Sequence, residues 1–165
     1  MKDELDFTFE ELAYVNIGES LHRGVESGLK LYFPGNLTAF FNYNYQSAKL
    51  KAGTFDGNFI KALPRDLIAA GLSYSHDSGV GGGLFLKSAR RTFLDDPNTI
   101  ILPDYTTVDA RLSYQHQRFT VAAEVFNLTN TDYSTTGFPD PAGSEVVLFY
   151  PAAERSFRLG VDVTF

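Results

Sequence analysis

From Arg155 to Phe165 the chain alternates without a break: Phe157, Leu159, Val161, Val163 and Phe165 occupy the odd positions, and Ser156, Arg158, Gly160, Asp162 and Thr164 the even ones. A helix would scatter that pattern around its circumference. A strand, whose successive side chains point to opposite faces, collects it into one apolar and one polar face. The same period of two recurs upstream. In Thr107–Gln115, Val108, Ala110, Leu112 and Tyr114 oppose Thr107, Asp109, Arg111, Ser113 and Gln115. In Leu37–Gln46, Leu37, Ala39, Phe41, Tyr43 and Tyr45 form one row. Leu21–Phe33, Ile68–Ser75 and Phe119–Val125 alternate too. Val80–Ala89 alternates less cleanly, because Phe85 shares the face of Lys87, and Leu5–Phe9 offers a further short strand. No segment carries a 3.6-residue period, so the expectation is an all-β chain of about eight antiparallel strands in a meander.

The connections add a second, independent pattern. Phe33-Pro34-Gly35-Asn36, His76-Asp77-Ser78-Gly79 and Gln115-His116-Gln117-Arg118 are short and rich in turn residues. Between them fall long segments, roughly Glu10–Glu19, Ser47–Arg65, Arg90–Asp104 and Leu128–Glu154, with Asp-Gly, Asp-Pro-Asn and Pro-Asp-Pro loop signals. Short turns at one end and long loops at the other describe a transmembrane β-barrel of the outer-membrane type, with periplasmic turns and extracellular loops. On that orientation the last strand runs down from the surface and Phe165 ends at the periplasmic boundary.

Composition agrees without deciding. The chain is 44% hydrophobic and no run approaches the ~20 apolar residues a spanning helix needs. Barrel strands conceal their hydrophobicity in alternation. Aromatics reach 15%, as Phe and Tyr only, and there is no cysteine for a disulfide or a thiolate metal site. The net charge of −6 and its interspersed signs exclude the basic stripe of a nucleic-acid binder. The N-terminal residues Met1 to Asp6 have no apolar core of a signal peptide, so an exported protein of this kind is expected to have further chain before them.

Candidate chemistry is sparse. His22, His76 and His116 are scattered and show neither metal-ligand spacing nor a Ser–His–Asp arrangement, so no catalytic residue, metal or cofactor is expected. Asp95, Asp96 and Asn98 lack the spacing of a calcium loop. Gly79 to Gly83 lack the strand–loop–helix context of a phosphate loop and read as a turn entering a strand of small residues. Glu26, Lys30, Asp109, Arg111, Glu124, Arg158 and Asp162 lie on polar faces, where mutual pairing in a wet lumen is expected. Arg90 and Arg91 begin a long loop and are candidate contacts for an anionic ligand. Tyr14, Tyr43, Tyr45, Tyr74, Tyr105, Tyr114, Tyr133 and Tyr150 stand near strand ends, where interfacial aromatic girdles form.

Four stretches also resemble one family in order along the chain. Tyr14 to Glu19 followed by Arg23-Gly24-Val25-Glu26 resembles the asparagine–glycine turn and "GvE" strand of TonB-dependent outer-membrane receptors. Leu102 to Arg111 is similar to their "pgYtvvDlr" strand, and Val125 to Tyr133 to their "v.NLfnk.Y" segment, with Leu-Thr where the family often has Leu-Phe. Tyr150-Pro151 through Arg155 to Phe165 resembles the family's terminal strand. The resemblance implies that residues 1–165 are the C-terminal part of a 22-stranded, plugged barrel of siderophore-receptor type. It also implies an iron–siderophore or similar scarce nutrient as ligand, and TonB as partner through an N-terminal region that nothing here matches. By the same resemblance Leu159, Val161, Val163 and Phe165 are a signal for the barrel-assembly machinery, read by strand addition, and the outer-membrane lipid is the remaining partner. Two rivals stand beside this: a complete eight-stranded structural or adhesive barrel, and a soluble β-sandwich binding module.

Overall fold

A computed structural model describes residues 4–8, 13–139 and 147–165. Thirteen strands and no helix occur among them. Seven strands build the main sheet: β3 (Ser20–Phe33), β4 (Leu37–Leu50), β5 (Asp66–Ser75), β6 (Val80–Arg90), β9 (Tyr105–His116), β10 (Phe119–Phe126) and β13 (Ser156–Val163). Each pairs antiparallel with its neighbour in that order, so the sheet is a meander edged by β3 and β13. The remaining strands make three small hairpins: β1 (Glu4–Thr8) with β2 (Ala13–Gly18), β7 (Thr92–Phe93) with β8 (Ile101–Leu102), and β11 (Ser134–Pro139) with β12 (Val147–Pro151).

Two expectations change here. The main sheet has seven strands rather than about eight, because β1 pairs with β2 in a separate hairpin instead of adding to the sheet. The first edge is therefore β3, not the strand near Phe7. Three of the segments expected as open loops contain strands, β2 within Glu10–Glu19 and the β7–β8 and β11–β12 hairpins in two others, which satisfy backbone groups that loops would leave to water. Residue 9 of the expected first strand and residues 10–12 and 140–146 of the expected loops lie outside the described residues. No ladder joins β13 to β3 or β1 among the described residues, so the sheet is open and the eight-stranded barrel is not formed.

Register explains the two faces. Directly opposed residues share a face, and across the main sheet the rows run Leu31, Ala39, Leu72, Leu84, Ala110, Val125 and Phe157, strand to strand. The row below it includes Leu37, Tyr74, Gly82, Leu112, Ala123 and Leu159. Every row of this face is apolar until Asp66, Ser88 and Thr106 near the loop end. Its height, Leu37 to Tyr45 on β4, is roughly 20–25 Å for strands tilted as in a barrel. Leu159 on this face is 75% exposed, as are Phe157 (74%) and Leu112 (64%). The few buried apolar side chains, such as Ala48, Leu50, Leu94 and Leu102, gather toward the loop end instead of in a central core.

Phe85, the exception in the alternation, lies on the polar face as its parity demands. It meets Phe40 across Gly71, with ring centroids 6.3 Å apart. A Cβ on Gly71 would stand 2.5 Å from Phe40 Cε1 and 2.9 Å from Phe85 Cδ1, so the two rings occupy the space a side chain there would need.

The short turns fix the meander. Gly79, at φ +92°, ends the β5–β6 turn, and its carbonyl accepts from Gln115 N at 2.8 Å, tying this turn to the β9–β10 turn. A Cβ on Gly79 would lie 1.9 Å from Gln115 O, whereas at Gly35 (φ +79°) nothing lies within 4 Å. Gly79→Ala should therefore cost about 3 kcal/mol, strain plus a backbone clash, and Gly35→Ala only about 1 kcal/mol. The urea midpoints of the two folded variants check this; equal shifts would contradict it.

Candidate functional site: the polar face and its loop rim

The polar face carries charges that pairing brings into line. Arg111, Glu124 and Arg158 are direct cross-strand neighbours on β9, β10 and β13. Arg111 Nη1 donates to Glu124 Oε1 at 2.9 Å, and Arg158 donates to the other carboxylate oxygen. Lys87 Nζ donates to Asp109 Oδ2 at 3.1 Å, and Asn44 Nδ2 to Glu26 Oε1 at 2.8 Å. Opposite charges directly across a ladder stabilise it. Of the groups expected to pair, Arg111, Glu124 and Arg158 pair with one another and Asp109 with Lys87, while Glu26 bonds to Asn44 and neither Lys30 nor Asp162 has an ion pair among the described residues. The Glu124 side chain is only 12% exposed while Leu159 is bare, the inverse of a sheet folded for water. Lys87, Tyr105, Glu26, Asn42 and Asn44 border a shallow depression of about 660 Å³, into which no metal-binding group of side chains converges among the described residues.

The residues of the Leu102–Arg111 and Val125–Tyr133 motifs meet at the loop end of this face. Asp109 Oδ1 accepts from Asn127 N at 2.9 Å, so the same carboxylate that holds Lys87 also caps the exit of β10. Asn127 is buried, sits at φ +51°, and folds the next four residues around its side chain. Its Oδ1 accepts from Thr131 N at 2.9 Å, and its Nδ2 donates to Thr131 O at 2.9 Å. Asn tolerates the left-handed region and bonds to nearby backbone, which is why this residue suits the corner. Asn130 (φ +53°) repeats the device, its Oδ1 accepting from Arg155 N at 3.0 Å ahead of β13. Tyr105 and Tyr133 pack with centroids 4.4 Å apart. Tyr105 thus faces the polar side and is not part of a girdle; Tyr43 and Tyr45 at the loop end and Tyr74 and Tyr114 at the turn end do stand on the apolar face.

Loops from different hairpins lock together at the rim. Asn98 takes the place of a strand against Phe59: Phe59 N donates to Asn98 Oδ1 at 2.7 Å and Asn98 Nδ2 donates to Phe59 O at 2.9 Å. Phe59 stacks on Phe93 at 5.9 Å, and Lys61 pairs with Asp96 at 3.0 Å. Asp95 turns its carboxylate inward onto Thr99 N and Ile100 N at 3.0 and 2.9 Å, a capped turn and not a cation loop. The sequence offered no periodic signal for Phe59 or Phe93, whose role depends on which loop lies alongside.

Arg90 and Arg91 end β6 at this rim. Arg90 faces Asp66 across the ladder, on the apolar side of the sheet, and its Nε donates to Ser88 Oγ at 3.2 Å. Arg91, at φ +59°, pairs with Asp66, which raises its already high pKa further. Leu159, Val161 and Val163 line the apolar face of β13, which among the described residues is an edge strand paired with β10 alone, and Phe165 extends beyond it fully exposed.

Comparison with known proteins places this architecture. The family described as TonB dependent receptor-like, beta-barrel matches residues 2–128, more than half of the chain. No curated protein matches at the sequence level. The ferric yersiniabactin uptake receptor FyuA from Yersinia pestis superposes with a TM-score of 0.82 at 19% identity, over 99% of this chain and 26% of that one. The siderophore receptor PiuA from Acinetobacter baumannii gives 0.74 at 20% identity, covering 95% and 24%. The copper transporter OprC gives 0.77 at 18% identity, covering 99% and 26%. The chain thus spans about a quarter of the length of these solved structures.

Asn127→Ala leaves the half-buried Thr131 N–H without its acceptor and places alanine at a left-handed φ. The expected loss is about 2–3 kcal/mol of stability, read as a lowered urea midpoint. Asn127→Gly, which relieves the backbone strain but restores no bond, should recover about 1 kcal/mol of it.

Proposed function

Because the chain belongs to the TonB-dependent receptor β-barrel family, whose members are outer-membrane transporters and not enzymes, we propose that residues 1–165 form the C-terminal wall of such a transporter's barrel. The plug and the TonB-contacting region would be supplied by other parts of the polypeptide. The observation that carries this reading is the single apolar face running unbroken through all seven strands, opposed by a face of paired charges. Lipid accepts the first and a water-filled lumen the second. The open edges at β3 and β13 are the seams at which the rest of the barrel pairs, since an unpaired strand edge finds no hydrogen-bond partner in lipid.

The cargo is an iron–siderophore complex or a comparable scarce nutrient. FyuA and PiuA are named for such ligands, while OprC is named for copper, so the wall alone sets no single cargo. Energy would come through TonB. Insertion would depend on the barrel-assembly machinery reading Leu159, Val161, Val163 and Phe165, a row of apolar side chains on an edge whose main chain is free to add a strand.

Two measurements test the reading. Phe41→Arg, midway between the Leu37 and Tyr45 rows, should destabilise the folded barrel by roughly 2–4 kcal/mol, and Asn42→Arg on the polar face at the same height should cost far less. Equal costs for the two would remove the lipid assignment. Deleting Phe165 should lower the amount of heat-modifiable, membrane-inserted receptor while export continues. Unchanged insertion would reduce Phe165 to one more lipid-facing residue.

A further inference from the structure

The apolar face ends, at the loop side, in a row of cations. Arg23 on β3 and Lys49 on β4 share the face of Val25 and Tyr45, and Arg90 on β6 shares that of Ser88 and Asp66. Arg65, which leads into β5, lies 4.0 Å from the Phe59 ring centroid and donates to Tyr45 Oη at a long 3.4 Å. Lys49 Nζ lies 4.6 Å from the same Phe59 ring. These groups stand just beyond Tyr43 and Tyr45, the aromatic residues that close the band.

Their charge is not balanced within the protein. Asp66 neutralises Arg91, but among the described residues no carboxylate lies within ion-pair distance of Arg23, Lys49, Arg65 or Arg90. Arg65 Nε is buried without any acceptor. A half-buried guanidinium with one donor unsatisfied against an aromatic ring has donors to spare for an anion. On the polar face Lys87, Arg111 and Arg158 each have an acid, while Lys30 lies over the Tyr32 ring.

We propose that this row binds the phosphate groups of lipid headgroups in the leaflet at the loop end, with Arg65 and Arg90 as its principal ligands. The proposal rests on the reading of the apolar face as lipid-facing. At that height the neighbours of the outer surface are headgroups, and the planar fork of arginine matches two phosphate oxygens, which lysine does not. The acyl chains below would lie against Val25, Ile68 and Leu86, so headgroup and chain are held by one continuous surface. This also assigns the anion for Arg90, Arg91 being held by Asp66. A ligand passing through the lumen would travel along the other face, where Glu26, Asp109 and Glu124 stand.

The test uses the full-length receptor carrying this chain, in vesicles of phosphatidylcholine doped with phosphatidic acid, with native mass spectrometry reading the lipids retained. Wild type should retain phosphatidic acid preferentially, and Arg65→Gln with Arg90→Gln should lower that retention about fivefold or more. Arg65→Lys with Arg90→Lys, which keeps the charge but loses the fork, should fall between the two. Lys30→Gln with Lys87→Gln on the polar face should match wild type. Millimolar inorganic phosphate should leave retention unchanged; displacement would reveal a free-anion site and overturn the lipid assignment. Loss in the polar-face variant but not in the arginine variant would show that the faces are reversed, which refutes the reading beneath. Undiminished retention in the arginine variants, with heat-modifiable mobility intact, refutes the phosphate site alone. Should the glutamine pair fail to fold, the lysine pair and Arg23→Gln with Lys49→Gln decide by the same readout.

Discussion

Everything in this chain depends on backbone hydrogen bonds being made between strands in a setting where neither lipid nor side chains can replace them. An unsatisfied N–H or C=O in hydrocarbon costs several kcal/mol, which leaves a ladder of strands as the available non-helical solution. The six pairings of the main sheet run without a register shift, and the irregularities noted fall in the β1–β2 and β11–β12 hairpins instead. That continuity matters because a slip of one residue would turn every apolar side chain of a strand to the wrong face. The turns set the register, so the tie between Gly79 and Gln115 and the compact loop after Phe33 serve both faces at once.

Stability is then distributed in an unusual way. A soluble sheet buries apolar side chains and exposes charges; here the apolar side chains are left for the surrounding medium and the carboxylates are shielded by arginine and lysine neighbours. Apolar packing within the chain is concentrated at the loop rim, around Phe59, Phe93 and Leu94, where the segments rise out of the band. Side chains that imitate main chain, Asn98 against Phe59 and Asn127 around Thr131, hold that rim without a regular sheet. The rim is therefore shaped by polar contacts and the wall by register.

The motif residues that mark the family turn out to be architectural. Asp109, Asn127 and Asn130 hold the exits of the final strands together, and Tyr105 packs on Tyr133 beside them. None of them forms a reactive group. They make a corner that few side chains can make, in a wall whose fold is shared by receptors of different named ligands.

The period of two determined the strands, their two faces and the alternation of short turns with long loops, because face membership in a strand depends only on position parity. Even Phe85 obeyed parity, and what looked like a flaw in the pattern is a ring seated over Gly71 beside Phe40. Tertiary structure decided what parity cannot encode. It set β1 against β2 instead of the sheet and packed Tyr105 on Tyr133. It placed Phe59 beside Phe93 and brought Arg65 and Lys49 onto the Phe59 ring. Those outcomes depend on which segments lie side by side, and contacts between loops far apart in sequence leave no local period to read.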